Sequence, residues 1–254
     1  MTKPDRPTEL DRLTIRARPE GQPLMHQTWG KLLFMHWRID ERELRQIIPE
    51  QLEIDTFDGT AWIGIVPFTM WDIRALPPYM PAVPGFSSAH ELNVRTYVHY
   101  NGVPGVWFFS LDCNSTAAVI GARTFYHLPY YNADIELAQV GPMIDYSLAR
   151  IDEPRASFKA SWMIGEAIPF THPESLDFFL TERYCLYSES EGDLYRARIF
   201  HQPWPLQKAS INSYESTMIE VLGVKAFNDK PLLHYTEAIE VDVWGIRKVS
   251  EARP

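Results

Sequence analysis

The sequence predicts an α+β protein, predominantly antiparallel β, and three observations carry that expectation. Aromatic residues are frequent, with 13 Phe, 12 Tyr and 8 Trp, and such side chains suit a pleated, half-buried surface. Twenty prolines against 13 glycines interrupt the chain too often for long helices and favour rigid connections. Short apolar or alternating runs bounded by turn residues recur along the chain, whereas helical periodicity is confined to brief windows. With 254 residues, no repeat of fixed period and no interior linker, the chain reads as a single domain over 25–248. An N-terminal arm at 1–24, free to flex or to dock, precedes it, and a short tail at 249–254 follows.

The elements follow in order. Residues 29–37 (WGKLLFMHW) are apolar on both alternating faces, as a strand buried on both sides would be. Asp40 then reads as an N-cap, and Glu43 three positions on gives a capping-box-like start. Leu44, Ile47 and Ile48 supply an apolar stripe before Pro49 ends the helix. Residues 61–68 (AWIGIVPF), 90–99 and 105–112 (GVWFFSLD) are further strands. Asn101-Gly102 between the last two is a hairpin signal, so they should pair as antiparallel neighbours. The four prolines of residues 76–89 exclude regular structure and predict a semi-rigid surface loop able to cover a pocket mouth. Asn114 or Ser115 caps a helix through TAAVIGARTFY, and Pro129 turns the chain out into extended structure. Strands are expected at 143–151, 156–164, 183–189, 193–201 and 237–247, with helices near 173–181 and 213–222.

Composition excludes several functions. The formal charge of −9 gives no electrostatic support for a nucleic-acid or anionic-membrane surface. Cys113 and Cys185 form neither a disulfide framework nor a metal signature and read as buried thiols. The N-terminal residues lack the apolar core of a signal peptide and no run approaches a membrane span, so a cytoplasmic location is expected. The eight histidines show no ligand spacing, and glycine-rich nucleotide loops and the GxSxG elbow are missing, so no metal or cofactor is implied. His36, among apolar strand residues, reads as a core histidine. Trp62, Trp107 and Trp162 read as core residues.

One strand carries chemistry. In HELNVRTYVH (90–99), Leu92, Val94, Thr96 and Val98 share one face, and Glu91, Asn93, Arg95, Tyr97 and His99 share the other. Such a stripe can face water, as in any half-solvated antiparallel sheet. The neighbouring strand, apolar on both faces, favours a pocket lining instead. There Glu91 and Arg95 would need each other or a ligand, because an unpaired buried charge is expensive.

The segments HW (36–37), LEIDTFDGTAWIGIVPF (52–68), ELNVRTYV (91–98), GVWFFSLD (105–112), GARTFYHLPYYNADI (121–135) and PWPL (203–206) closely resemble the YqjF-like family of uncharacterised bacterial proteins. That family is similar to the acetoacetate decarboxylase-like superfamily. The resemblance, spanning about residues 28–247, implies a cone-shaped antiparallel β-barrel with flanking helices and an internal pocket. It places Glu91 where the decarboxylases carry a functional glutamate, and Arg123 through Tyr131 on their segment that ends in Pro-Lys-Lys. Pro129 matches, but Tyr130 and Tyr131 stand in place of the lysine pair. A tyrosine cannot form the Schiff base on which that decarboxylation depends, so acetoacetate decarboxylase activity is not expected. Among the seven lysines, Lys159 is the best relocated candidate, yet its alternation with Phe158, Ala160 and Trp162 turns it to solvent.

Three readings follow. A pocket lined by Glu91, Asn93, Arg95, Arg123, Tyr126 and Tyr130 binds a small-molecule carboxylate or carbonyl ligand, an organic acid or ketone, with the arginines orienting the carboxylate. Alternatively, Glu91 and Tyr130 act catalytically in Schiff-base-independent acid/base chemistry on an oxo-acid: enolisation, hydration or lyase cleavage. The three tyrosines 126, 130 and 131 equally fit plain packing, and the protein is then a non-catalytic interaction scaffold. Neither nucleic acid nor membrane is an expected partner, and homo-oligomerisation stays open.

Overall fold

The structure is a computed structural model that describes residues 6–75 and 88–249. Most of the proline-rich loop expected at 76–89 lies outside the described residues, as does all but Val249 of the C-terminal tail. In chain order the elements are α1 (Glu9–Thr14), β1 (Met25–Ile39), α2 (Glu41–Arg45), β2 (Glu53–Ile54), β3 (Ala61–Ala75), β4 (Ser88–Tyr100) and β5 (Val103–Cys113). They continue with α3 (Thr116–Tyr126), β6 (Tyr130–Val140), β7 (Met143–Arg150), β8 (Ser157–Ala167), α4 (Leu176–Thr181), β9 (Cys185–Ser190) and β10 (Asp193–Phe200). Strand β11 (Gln207–Ser216), a 3-10 turn at Glu220–Leu222, β12 (Leu232–Val243) and β13 (Arg247–Lys248) complete the described chain.

All described strands belong to one antiparallel-rich sheet that closes on itself at two forks. Strand β5 pairs with β4 along its length. On its other side Val106 and Trp107 run parallel to β9, while Leu111–Cys113 run parallel to Tyr130–Asn132 of β6. Strand β12 pairs with β1 and forks likewise, meeting β11 at Tyr235 and β10 at Asp242 and Val243. Four strands bridge the forks on one side (β6, β7, β8, β11) and two on the other (β9, β10). Unequal strand numbers at the two ends taper the ring, the proportions of a cone.

The local signals act as read at several points. Asn101 and Gly102 take positive φ in the β4–β5 hairpin, and the Ser115 hydroxyl caps α3 by accepting from Ala118 N–H. Asp40 caps α2 by accepting from Arg42 N–H. Glu43 does not complete a capping box, because its carboxylate accepts from the Lys225 backbone N–H instead. The reciprocal box occurs in α1, between Thr8 and Asp11, inside the segment read only as an arm. That arm is docked. Arg12 reaches Asp55, the Arg198 guanidinium donates to the carbonyls of Ile15 and Ala17, and Leu24 N–H bonds Val243. The helix expected at 213–222 is wrong: residues 207–216 form β11, paired to β8, and only Glu220–Leu222 coils. Tyr214, Met218 and Val221 imitate a helical stripe, but the open edge of β8 captures this segment and the ladder outweighs weak propensity.

Burial sorts the strand faces. Leu33, Met35, Trp37 and Ile39 of β1 join Ile63, Ile65, Leu92, Val94 and Val98 in the main core, which includes Trp162. The opposite faces supply Phe34, Val66 and Phe68 to a second cluster that Trp204 joins from the β10–β11 connection, and Trp62 and Tyr97 with Phe179 and Leu180 to a third. Trp107 is half-buried against the main core. Cys113 and Cys185 are buried free thiols. No described helix is long and apolar enough to cross a membrane.

Candidate functional site

Alternation along β4 puts Glu91, Asn93, Arg95, Tyr97 and His99 on one face, and all five are buried, with even Arg95 only 8 % exposed. The single register shift against β5 places its extra residue at Phe109, so β4 keeps its alternation intact. The stripe does not face water. Tyr130, Trp204 and α4 cover it, with Trp204 edge-on to Phe34 and Phe179 against Tyr97.

At one end Glu91 and Tyr130 meet directly. The phenol donates to Glu91 Oε2 at 2.7 Å, the Asn93 amide donates to the same carboxylate, and Tyr146 OH donates to the Glu91 backbone carbonyl at 3.0 Å. Burial pushes the Glu91 carboxyl up to about 7 against the pull of the Tyr130 and Asn93 bonds. Burial also lifts the Tyr130 hydroxyl well above its ordinary range, with the Glu91 charge acting the same way. Around neutral pH this carboxyl can therefore accept or release a proton beside a phenol that stays protonated.

Arg95 occupies the middle. Its guanidinium lies over the rings of Phe34 (5.2 Å) and Tyr97 (5.9 Å), its Nε and Nη2 have no hydrogen-bond partner, and no described carboxylate pairs with it. Beyond it, Tyr97 OH donates to the Leu180 carbonyl at 2.7 Å and contacts His36 Nε2 at 2.6 Å. Burial, then the nearby Arg95 charge, hold His36 well below the usual histidine range. Arg183 lies over Tyr97 and Phe179 and pairs with Asp55 at 2.7 Å; burial lowers it to about 10. Asp55 also takes Arg12 of the arm through both oxygens. Burial raises the Asp55 carboxyl, but Arg183 and Arg12 outweigh it and hold the group below its ordinary range.

Glu91, Asn93 and Arg95 thus share one buried layer, which the half-buried Tyr130 meets at Glu91. Tyr126 packs half-buried in the same apolar cluster as Tyr130, and none of its described hydrogen bonds reaches Glu91 or Arg95. Arg123 lies outside the layer: its side chain is 47 % exposed and paired with Asp152, and its Nε holds the Tyr130 backbone carbonyl. Its contribution is to fix the strand that presents Tyr130, because at the end of α3 it faces the solvent side of β6. Two residues that sequence reasoning left aside belong to the layer. His36 is the buried core histidine that the sequence suggests, in contact with Tyr97, and its two-residue spacing from Phe34 puts it on the same face. Arg183 gave no signal, since its partners Asp55 and Tyr97 are distant in sequence. No described group of three His, Cys, Asp or Glu could hold a metal. Two surface clefts, of about 330 and 390 Å³, are lined around Arg16 and His201 and around Ile168 and Trp204 respectively; neither is lined by Glu91, Asn93, Arg95 or Tyr130.

Residues 26–240 match DUF2071, described as an uncharacterized conserved protein. The chain belongs to the DUF2071 family. The uncharacterized protein YqjF of Bacillus subtilis (strain 168) is 44 % identical over 233 residues, covering 91 % of this chain and 95 % of that one. Among solved structures, the enduracididine biosynthesis enzyme MppR complexed with pyruvate aligns with a TM-score of 0.65 at 13 % identity, over 90 % of this chain and 91 % of the other. An acetoacetate decarboxylase-like enzyme from Sphingomonas wittichii RW1 gives 0.62 at 12 % identity, over 90 % and 94 %. Acetoacetate decarboxylase from Legionella pneumophila gives 0.57 at 13 %, over 96 % and 97 %. At such identities the likeness is one of fold: this DUF2071 protein has the acetoacetate decarboxylase-like architecture.

Proposed function

We propose that this DUF2071 protein binds a small organic acid or ketone in the polar layer of β4, with Arg95 receiving the carboxylate. The observation that carries this reading is a buried guanidinium with two unpartnered nitrogens, Nε and Nη2, and no described counter-ion. Leaving such donors unmade is costly, and a carboxylate satisfies them with charge-assisted bonds. Phe34 and Trp204 supply apolar walls, and Trp204 also lines the larger cleft. That MppR was solved with pyruvate supports testing oxo-acids first.

The test is calorimetric titration of pyruvate and acetoacetate into wild type and Arg95→Met. At least tenfold weaker binding in the variant is expected. Equal binding by both overturns Arg95 as the receiver, and failure of wild type to bind any small carboxylate overturns the reading and leaves the scaffold. A second reading rests on Glu91: a carboxyl near 7 hydrogen-bonded to a phenol suits enolisation of a bound oxo-acid, Glu91 taking the α-proton and Tyr130 turning its single hydroxyl proton from that carboxylate to the developing oxyanion. Deuterium exchange at the methyl of pyruvate, faster with wild type than with Glu91→Gln, is the expected sign; no exchange above the uncatalysed rate refutes it.

A further inference from the structure

The unpartnered atoms of the layer specify more than a carboxylate. Tyr97 has one hydroxyl proton and gives it to the Leu180 carbonyl. At the 2.6 Å contact with His36, Tyr97 can then only accept, so Nε2 of His36 carries the ring proton. Nδ1 is left as a bare lone pair, and it is fully buried with no partner. The groups facing this ring are Tyr97 and Arg95 from β4, Arg183 after α4 and His234 from β12. The guanidinium charges of Arg95 and Arg183 oppose a second ring proton and keep Nδ1 an acceptor.

His36, Gly64 and Arg95 are lateral neighbours across β1, β3 and β4. The position between histidine and arginine therefore carries no side chain. The His36 ring leans across it, since a β-carbon on Gly64 would sit 2.9 Å from His36 Cδ2. On the other side of Arg95, Asn93 gives its amide to Glu91 and keeps Oδ1 unpartnered. Two unused donors on Arg95 are thus flanked by two unused acceptors. An oxo-acid offers acceptors only. It satisfies Arg95 but leaves both lone pairs buried and unmet, whereas an added hydroxyl meets one of them.

Resting on the carboxylate-binding reading above, we propose that the layer selects a small hydroxycarboxylic acid over the matching oxo-acid, its carboxylate on Arg95 and its hydroxyl donating to His36 Nδ1. The probes are two matched pairs, lactate with pyruvate and 3-hydroxybutyrate with acetoacetate, plus propionate as the acid without either group. Calorimetry on the full chain should show at least tenfold tighter binding of one hydroxy acid than of its oxo partner and of propionate. His36→Phe should lose that preference while still binding propionate. Gly64→Ala, which displaces the ring without removing it, should weaken the preference as well. Nitrogen-15 spectra of His36 in wild type need no variant: the ring should carry its proton on Nε2, and the Nδ1 resonance should shift on adding the hydroxy acid. A proton on Nδ1, or acids bound without hydroxyl preference, overturns this inference and leaves the carboxylate site standing. Failure of all five acids to bind wild type overturns both.

Discussion

Glu91 concentrates the chemistry of the site, and its titration is measurable through stability. Its carboxyl ionises near 7 when folded and near 4.5 ordinarily, because burial disfavours the charge. Between those values the unfolded chain has released the proton and the folded chain has not. The Glu91 contribution to stability therefore falls as pH rises through 4.5 to 7 and is level above, about 3 kcal/mol in all. Denaturant titrations across pH should show this slope in wild type and its absence in Glu91→Gln. Tyr130→Phe removes a donor that favours the carboxylate, so the Glu91 midpoint should move upward, seen by carboxyl infrared or carbon-13 titration. A midpoint that stays put means the phenol does not bond the ionised form. At this scale the sequence displayed the stripe from Glu91 to His99, because alternation is a local property of a strand. It did not display the partner of Arg95 or the tautomer of His36, which depend on side chains brought from other strands and from α4.

The arm shows how an element is held by charge rather than by apolar area. Helix α1 buries no residue within its span, and only Ile15 beyond it enters the core. Its anchor is Arg12 on Asp55, which is shared with the buried Arg183. Asp55→Asn strands two guanidinium groups, one fully buried, and should cost about 3–5 kcal/mol in urea unfolding. Arg12→Met leaves the Arg183–Asp55 pair intact and should cost only about 1–2 kcal/mol, with faster proteolysis in residues 6–20 as its signature. Equal losses in the two variants would mean that the arm, not Arg183, is the chief partner of Asp55. Elements set by local rules were legible: the β4–β5 hairpin from Asn101-Gly102, α3 from Ser115, α2 from Asp40. Strand β11 was not, because Gln207–Ser216 is half-exposed and its strand state comes from pairing with β8.

For the whole molecule, the forks at β5 and β12 decide what the polar layer is. They let one sheet enclose the apolar core while the reverse faces of β1, β3 and β4 are closed over by α4, Trp204 and Tyr130. The acetoacetate decarboxylase-like fold is thereby kept without an amine at the position after Pro129. Tyr130 occupies it, and no described lysine is buried, Lys159 being exposed. Borohydride treatment of this protein with acetoacetate should therefore leave its intact mass unchanged. A reduced adduct would reveal a Schiff base on a lysine elsewhere in the chain.

The sequence by itself determined the strand-rich class, the family, the alternation of β4 and the tyrosines that follow Pro129, since each is written in residue identity and near-neighbour spacing. Only the tertiary structure decided that the stripe is buried, that Glu91 meets Tyr130, that Arg123 lies outside and that His36 and Arg183 lie within. Those outcomes depend on which distant strands become neighbours, and burial then sets which charges find partners and which are left waiting for one.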